Sequence, residues 1–271
     1  MPFKAVNGLS MHYQWHEALV QSGQPTLPIV LLAGMASDSA SWQPVIEGLR
    51  LNHTLIVPDN RCTGQTLPNP VATDRAAMVT DVLALLDSLE IPLFHIVGHS
   101  MGGMLGWAIA AEAPHRVAHL VAAAAPPSII SARISLFSSL SALREQHTEE
   151  YWYKLLFQFL FKADFFDSEA NVQAAVIASQ AYPHKQGMNA LAAQVAGLNS
   201  FLAPPDLASI RCPVTLIAAS HDVLFPPDML AQCQHLHPVM TTHVIDQAAH
   251  AMHWEQPEEF IRCVLAALKD K

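Results

Sequence analysis

Charged residues are scarce, making up only 14% of 271 residues, and the basic ones are scarcer: 14 Lys and Arg stand against 23 Asp and Glu, a formal net charge of −9. That balance works against nucleic acid or an anionic membrane as a partner, because both are held through clustered cations. Cysteine is also rare. Cys62, Cys212, Cys233 and Cys263 are scattered with no CxxC pair, which fits reduced, structural thiols better than a disulfide framework or a zinc site. Apolar residues reach 51%, yet no uninterrupted apolar run approaches the ~20 residues that span a bilayer. The opening MPFKAVNGLSMHY lacks the basic start and continuous apolar core of a secretory signal, so a cytoplasmic location is expected. There is no internal repeat, low-complexity tract or long charge run. A chain of this length buries enough apolar surface for one main domain without metal or disulfide support. Small molecules remain as partners.

What is present is an alternation of strand and helix signals. In FKAVNGLSMHY, Asn7-Gly8 separates two alternating segments and predicts a two-residue hairpin. PIVLLAG (28–34) and TLIVPD (54–59) are continuous apolar runs, the pattern of strands buried on both faces of a parallel sheet. Between Asp74 and Glu90, Met78, Val79, Val82, Leu83, Leu86 and Leu89 recur at helical spacing, with Asp and Glu expected on the opposite face. A strand LFHIVGH, a helix from about Ser100 to Glu112 and a strand VAHLVAAAA follow. From about Pro126 to Pro205 the rhythm changes: no buried-strand run occurs, and segments rich in Phe, Trp, Leu and Ala predict an inserted helical unit, too long for a loop. The sheet then resumes with PVTLIAAS (213–220), helix PDMLAQCQHL, strand THVID (242–246) and a last helix from about Pro257 to Leu268. The class is a doubly wound α/β fold.

One stretch carries chemistry. GHSMGG places Ser100 between glycines where a strand turns into a helix, the setting of a nucleophile elbow, in which a crowded turn exposes the hydroxyl. A serine at neutral pH needs a histidine to take its proton and a carboxylate to orient that histidine. For this elbow both lie downstream. Asp222, in SHDVLFPP, and His250, in AAHAMHWEQ, each follow a strand, at the end where open α/β sheets collect ligands. Their competitors are Asp246 and His253. Asp246 stands too near His250 in sequence for the usual division of roles, and Ser100 itself could be no more than a helix N-cap. His99 reads as a packed neighbour, and His235-x-His237 has no carboxylate nearby to suggest a metal. Trp152, Phe157, Phe159, Phe161, Phe165 and Phe166 read first as helix-packing residues, some of which face a pocket.

The blocks LLAGMASDSASW, PDNRCTGQT, VGHSMGGMLGWAIAAEAPHRV, SHDVLFPP and AAHAMHWEQPEEF resemble those of the α/β-hydrolase superfamily, and among its members the small capped esterases and lactonases grouped around the 3-oxoadipate enol-lactonases. The resemblance runs from the first hairpin to the last helix. It implies a mostly parallel eight-stranded sheet flanked by helices, with a core domain of residues 1–125 and 206–271 and a helical cap insertion at 126–205. It also implies that Ser100 is the nucleophile, His250 the base and Asp222 the orienting acid, with the backbone N–H groups of Met35 and Met101 as the oxyanion hole. The expected reaction is cleavage of a small carboxylic ester or lactone through an acyl-enzyme, with no metal or organic cofactor. Carbon–carbon bond hydrolysis and peroxide formation use the same triad, and a ligand receptor retaining the fold is the reading from another class. Two blocks depart from the family pattern. Ala33-Gly34-Met35 stands where relatives commonly have His-Gly before the first oxyanion donor, and Arg61-Cys62-Thr63-Gly64-Gln65-Thr66 replaces Arg-Gly-x-Gly-x-Ser. No catalytic role is expected for Cys62.

Overall fold

Asn7 and Gly8 both adopt positive φ, 48° and 78°, the combination a two-residue hairpin turn requires. They join β1 (Phe3–Val6) to β2 (Leu9–His16) in the computed structural model, which describes residues 3–20, 26–238 and 240–269. Part of the polar connection that follows lies outside the described residues. The two apolar runs form β3 (Ile29–Leu32) and β4 (Leu55–Pro58), and between them sits α1 (Gln43–Leu49), started by a Pro in its first turn. The sequence reading assigns no helix there. α2 (Arg75–Ser88), capped by Asp74, leads to β5 (Phe94–His99), α3 (Met101–Glu112) and β6 (Val117–Ala123).

Four longer helices then run without a strand: α4 (Ser131–Gln146), α5 (Glu149–Leu160), α6 (Glu169–Ala181) and α7 (Met188–Gly197). The chain returns to the sheet as β7 (Val214–Ala219), followed by α8 (Pro227–Ala231), β8 (Met240–Ile245), α9 (Met252–Glu255) and α10 (Pro257–Lys269). The helix expected over PDMLAQCQHL is shorter than its pattern, because after α8 the chain tightens into a 3-10 turn over Gln232–His235.

The described strands form one eight-stranded sheet in the order β1-β2-β4-β3-β5-β6-β7-β8. β1 and β2 pair antiparallel, β2 pairs antiparallel with β4, and every pairing from β4 through β8 is parallel. Because side chains alternate along a strand, each run feeds two cores. Ile29 and Leu31 point into one with Trp42, Val45 and Leu49 near α1 and Phe260 and Val264 of α10. Val30 and Leu32 point into the other with α2, α3 and the four-helix segment. The wholly apolar strands therefore follow from burial on both faces. No helix among the described residues is long and apolar enough to cross a membrane.

One expectation for α2 needs correction. Asp81 does not lie on a solvated face; it is 1% exposed because Arg61 reaches it with Nε to Oδ2 at 2.7 Å and Nη2 to Oδ1 at 2.9 Å. Asn7 Nδ2 donates to the same carboxylate, and Arg61 Nη1 donates to the Ala72 carbonyl. A buried carboxylate is tolerated only when paired and hydrogen-bonded, and the pattern of a single helix cannot show a partner that far upstream. Cys62, at φ 69°, is buried beside this pair, with Sγ donating to the Val71 carbonyl.

Candidate active site

β5 ends in Gly98-His99, and the next residue, Ser100, takes φ 54° and ψ −123° before α3 begins. That is a conformation few non-glycine residues adopt without strong surrounding constraint. The constraint is visible in the glycines. A Cβ on Gly98 would fall against the Gly102 carbonyl, and one on Gly102 against the Leu32 carbonyl, while one on Gly103 would meet the Ala125 methyl. Strand and helix are thus packed backbone to backbone around the serine. Its own N–H donates to the Ala123 carbonyl, and its carbonyl accepts from Gly103 and Met104. The side chain makes no capping hydrogen bond, so the N-cap reading does not describe it.

Asp222 and His250 follow β7 and β8, two neighbouring strands whose C-terminal ends lie on the same edge as that of β5. They meet through His250 Nδ1 and Asp222 Oδ2 at 2.9 Å, both nearly fully buried. The other carboxylate oxygen accepts from the N–H groups of Leu224 at 2.8 Å and Phe225 at 3.0 Å. Burial alone would raise the Asp222 pKa, but His250 and these two N–H groups together hold it below the ordinary aspartate value. With Nδ1 facing the carboxylate, the other ring nitrogen, Nε2, is left on the side away from Asp222. Asp246, by contrast, is exposed and is hydrogen-bonded to Ser220 and Gln247, not to His250.

His99, beside the serine, ties the histidine loop to the elbow: its Nε2 lies 2.8 Å from the His250 carbonyl and so carries the proton it donates. The His99 ring sits 4.7 Å from that of His250 and 4.6 Å from that of His253. His253 lies on the far side, against Trp42 and Phe260. Burial, and then the neighbouring histidines, push His99 well below its usual pKa and His253 down to about 3. Both therefore stay neutral beside His250. An unfolded histidine would take up a proton below about pH 6.5, so each costs the folded state stability as pH falls below that point, at up to about 1.4 kcal/mol per pH unit. Replacing His253 with Phe, an apolar ring in an aromatic site, should shrink the gap between urea midpoints at pH 7 and pH 5. An unchanged gap would show that His253 is not a source of the acid limb.

The loop after β3 runs past the elbow: a Cβ on Gly34 would stand 3.2 Å from the Ser100 Cβ. Met35 follows it, partly buried, and the Met101 N–H belongs to the first turn of α3, where amides have no intrahelical acceptor. The four-helix segment lies across this same edge of the sheet. Arg133 donates to the carbonyls of Val223 and Leu224, Gln186 Nε2 to that of Cys62, and Tyr182 Oη to Asp38 Oδ2. Gln194 Oε1 accepts from the Ala36 N–H, and the Ala251 N–H donates to the Leu160 carbonyl. Glu255 links the segment to the histidine loop by accepting from the N–H groups of Lys162 and Ala249.

Sequence reasoning did not single out Tyr182, Gln186, Gln194 or Glu255. Only Gln194 offered a signal, as the lone long polar side chain within ALAAQVAG, and it is fully buried. Of the aromatics, Trp152 and Phe157 are buried in the core that the segment shares with α2, α3 and one face of the sheet, whereas Phe159, Phe161, Phe165 and Phe166 are half-buried. His235 and His237 belong to no cluster of three or more metal-ligating side chains among the described residues.

Comparison with known proteins agrees with this architecture. A protein from Agrobacterium fabrum named for carbamate hydrolysis, RutD, is 28% identical over 251 residues, covering 92% of this chain and 95% of its own length. The enol-lactonase from Burkholderia xenovorans LB400 superposes with a TM-score of 0.85 at 21% identity, covering 99% of this chain and 100% of its own. A thermophilic esterase from Thermogutta terrifontis gives 0.82 at 20% identity, covering 99% and 96%. At such identities the two structures show a shared fold. Residues 28–257 match the profile of the alpha/beta hydrolase fold, and the chain belongs to that family.

Proposed function

We propose that this chain is a serine hydrolase that cleaves a small carboxylic ester or lactone through an acyl-enzyme. The observation that carries the reading is the strained Ser100, whose hydroxyl caps nothing, on the sheet edge where His250 is oriented by Asp222. Ser100 Oγ attacks the carbonyl carbon while its proton passes to His250 Nε2. The tetrahedral oxyanion is received by the N–H groups of Met35 and Met101. The carbon–oxygen bond then breaks, and His250 returns the proton to the leaving alcohol. Water, deprotonated by the same histidine, attacks the acyl carbonyl; the bond to Ser100 Oγ breaks as His250 returns the proton to it, and the acid leaves. Asp222 stays ionised throughout and stabilises the imidazolium. No step in this scheme calls on a metal or organic cofactor.

In this reading the four-helix segment is a cap, since its hydrogen bonds reach loops after β3, β4, β7 and β8. The names of the curated relatives favour a second reading, hydrolysis of a carbamate, whose carbonyl the same serine can attack. A panel of matched p-nitrophenyl esters, γ-lactones, homoserine-type lactones and simple carbamates decides between them. The ester reading expects repeated turnover of the esters and lactones at kcat/KM well above that for carbamates. The reverse order would favour the carbamate reading, and tight binding with one slow turnover would point to a receptor.

A further inference from the structure

The loop that carries Met35 is held only in part by its own side chains, through Ser37 Oγ donating to the Met35 carbonyl at 3.5 Å. Ala33, before the glycine, has no side-chain group that could hydrogen-bond the loop. Ala36, one residue after Met35, takes φ 57°, a left-handed conformation that a residue with a Cβ keeps only under restraint. One restraint comes from the cap. Gln194 of α7, fully buried, accepts from the Ala36 N–H at 2.9 Å. Two residues further on, Tyr182 donates to Asp38 Oδ2 at 3.0 Å, while Asp38 Oδ1 accepts from the Ala40 N–H.

The orientation of the Gln194 amide is fixed from both sides. Gln186 Nε2 is committed to the Cys62 carbonyl at 2.8 Å and also donates to Gln194 Oε1 at 3.1 Å. Two donors, Ala36 N–H and Gln186 Nε2, therefore converge on Gln194 Oε1, and a flipped amide would set donor against donor. The cost of this arrangement is visible: Gln194 Nε2 and Gln186 Oε1 are buried with no hydrogen-bond partner among the described residues. Leaving two such atoms unsatisfied is unfavourable, so the amides are not arranged for their own satisfaction. They are arranged around the Ala36 N–H.

We infer that Gln194 is a positioning residue that couples the cap to the oxyanion loop, with Tyr182 as a second anchor on the same loop. It touches no reacting atom; it holds the peptide plane next to the Met35 N–H in the orientation the oxyanion needs. The inference rests on the serine-hydrolase reading and adds a route by which cap position governs the chemical step. Charge develops on the carbonyl oxygen only during reaction, so a loosened loop lowers kcat and leaves KM nearly unchanged.

The test measures kcat and KM for p-nitrophenyl acetate with Gln194→Leu, Gln194→Glu, Tyr182→Phe and Ser100→Ala, with far-UV dichroism on each. Gln194→Leu, which keeps the bulk and removes the acceptor, should lower kcat about tenfold to a hundredfold, below the ~10²–10³ typical of deleting a hole donor outright. Its KM should move less than about twofold. Gln194→Glu retains an acceptor for both donors and should recover most of the lost kcat. Tyr182→Phe removes one hydroxyl and should lower kcat severalfold, and it decides the matter if Gln194→Leu does not fold. A folded Gln194→Leu with unchanged kcat, a Gln194→Glu no better than Leu, or a Tyr182→Phe that is unaltered would each overturn the inference. Ser100→Ala separates the two levels: if it retains turnover the hydrolase reading itself fails, whereas a dead Ser100→Ala beside an unaltered Gln194→Leu removes only the role of Gln194.

Discussion

Replacing Ser100 with Ala should lower kcat/KM for an activated ester by on the order of 10⁴- to 10⁶-fold, with the protein still folded. The fold survives because the hydroxyl caps no helix; the elbow is held by backbone hydrogen bonds of Ser100 that Ala keeps. His250→Ala should be about as inactive, since a serine without a base is a poor nucleophile and a base without a nucleophile has nothing to activate. Combining the two should cost little more than either alone, because members of one catalytic unit are not additive. Asp222→Asn should lie nearer 10⁴-fold, through loss of the tautomer in which Nδ1 carries the proton. The measurement is p-nitrophenyl ester hydrolysis on purified variants whose dichroism matches the parent. An active His250→Ala beside an inactive His253→Ala would reassign the base.

Gly102→Ala should be strongly damaging for a single added methyl. Alanine ordinarily favours a helix over glycine by roughly 1 kcal/mol, but here the new carbon would press on the Leu32 carbonyl. A carbonyl in the central strand of a sheet cannot turn aside as a flexible side chain does. Either β3 or the first turn of α3 must shift, at a cost of about 1–3 kcal/mol or more, and both carry parts of the site. The internal control is Gly187→Ala, where nothing stands within 4 Å of the added Cβ. Urea midpoints and soluble yield should fall for Gly102→Ala and stay level for Gly187→Ala. Equal stability of the two would refute the close packing of strand and elbow helix.

The parts of the fold that sequence made legible are those with a local physical cause. Asn7-Gly8 forms its turn because the two residues that best tolerate positive φ stand together. The runs around Val30 and Ile56 are wholly apolar, and those around Ile96 and Leu216 nearly so, because a doubly covered sheet admits a polar residue such as Thr215 only with a partner such as His119. The less legible parts depend on partners far away in the chain. Asp81 reads as a solvated residue until Arg61 is found against it, and α1 is short, its start marked by little beyond one Pro. At the site, Ser100, Asp222 and His250 stood out because each follows a strand in a motif with a mechanism. Gln194 and Tyr182 did not: their meaning lies in hydrogen bonds to Ala36 and Asp38 that span 158 and 144 positions. A glutamine in an apolar helix announces that it has a partner without naming it.

The central claim is that one hydroxyl, that of Ser100, becomes covalently acylated. Its most direct test is to treat the protein with a serine-directed fluorophosphonate, digest it, and locate the adduct by peptide mass, with and without excess ester. The account predicts one adduct per chain on the peptide containing Ser100, slowed by the ester and absent from Ser100→Ala. An adduct on any other residue, or labelling that persists in Ser100→Ala, would contradict it.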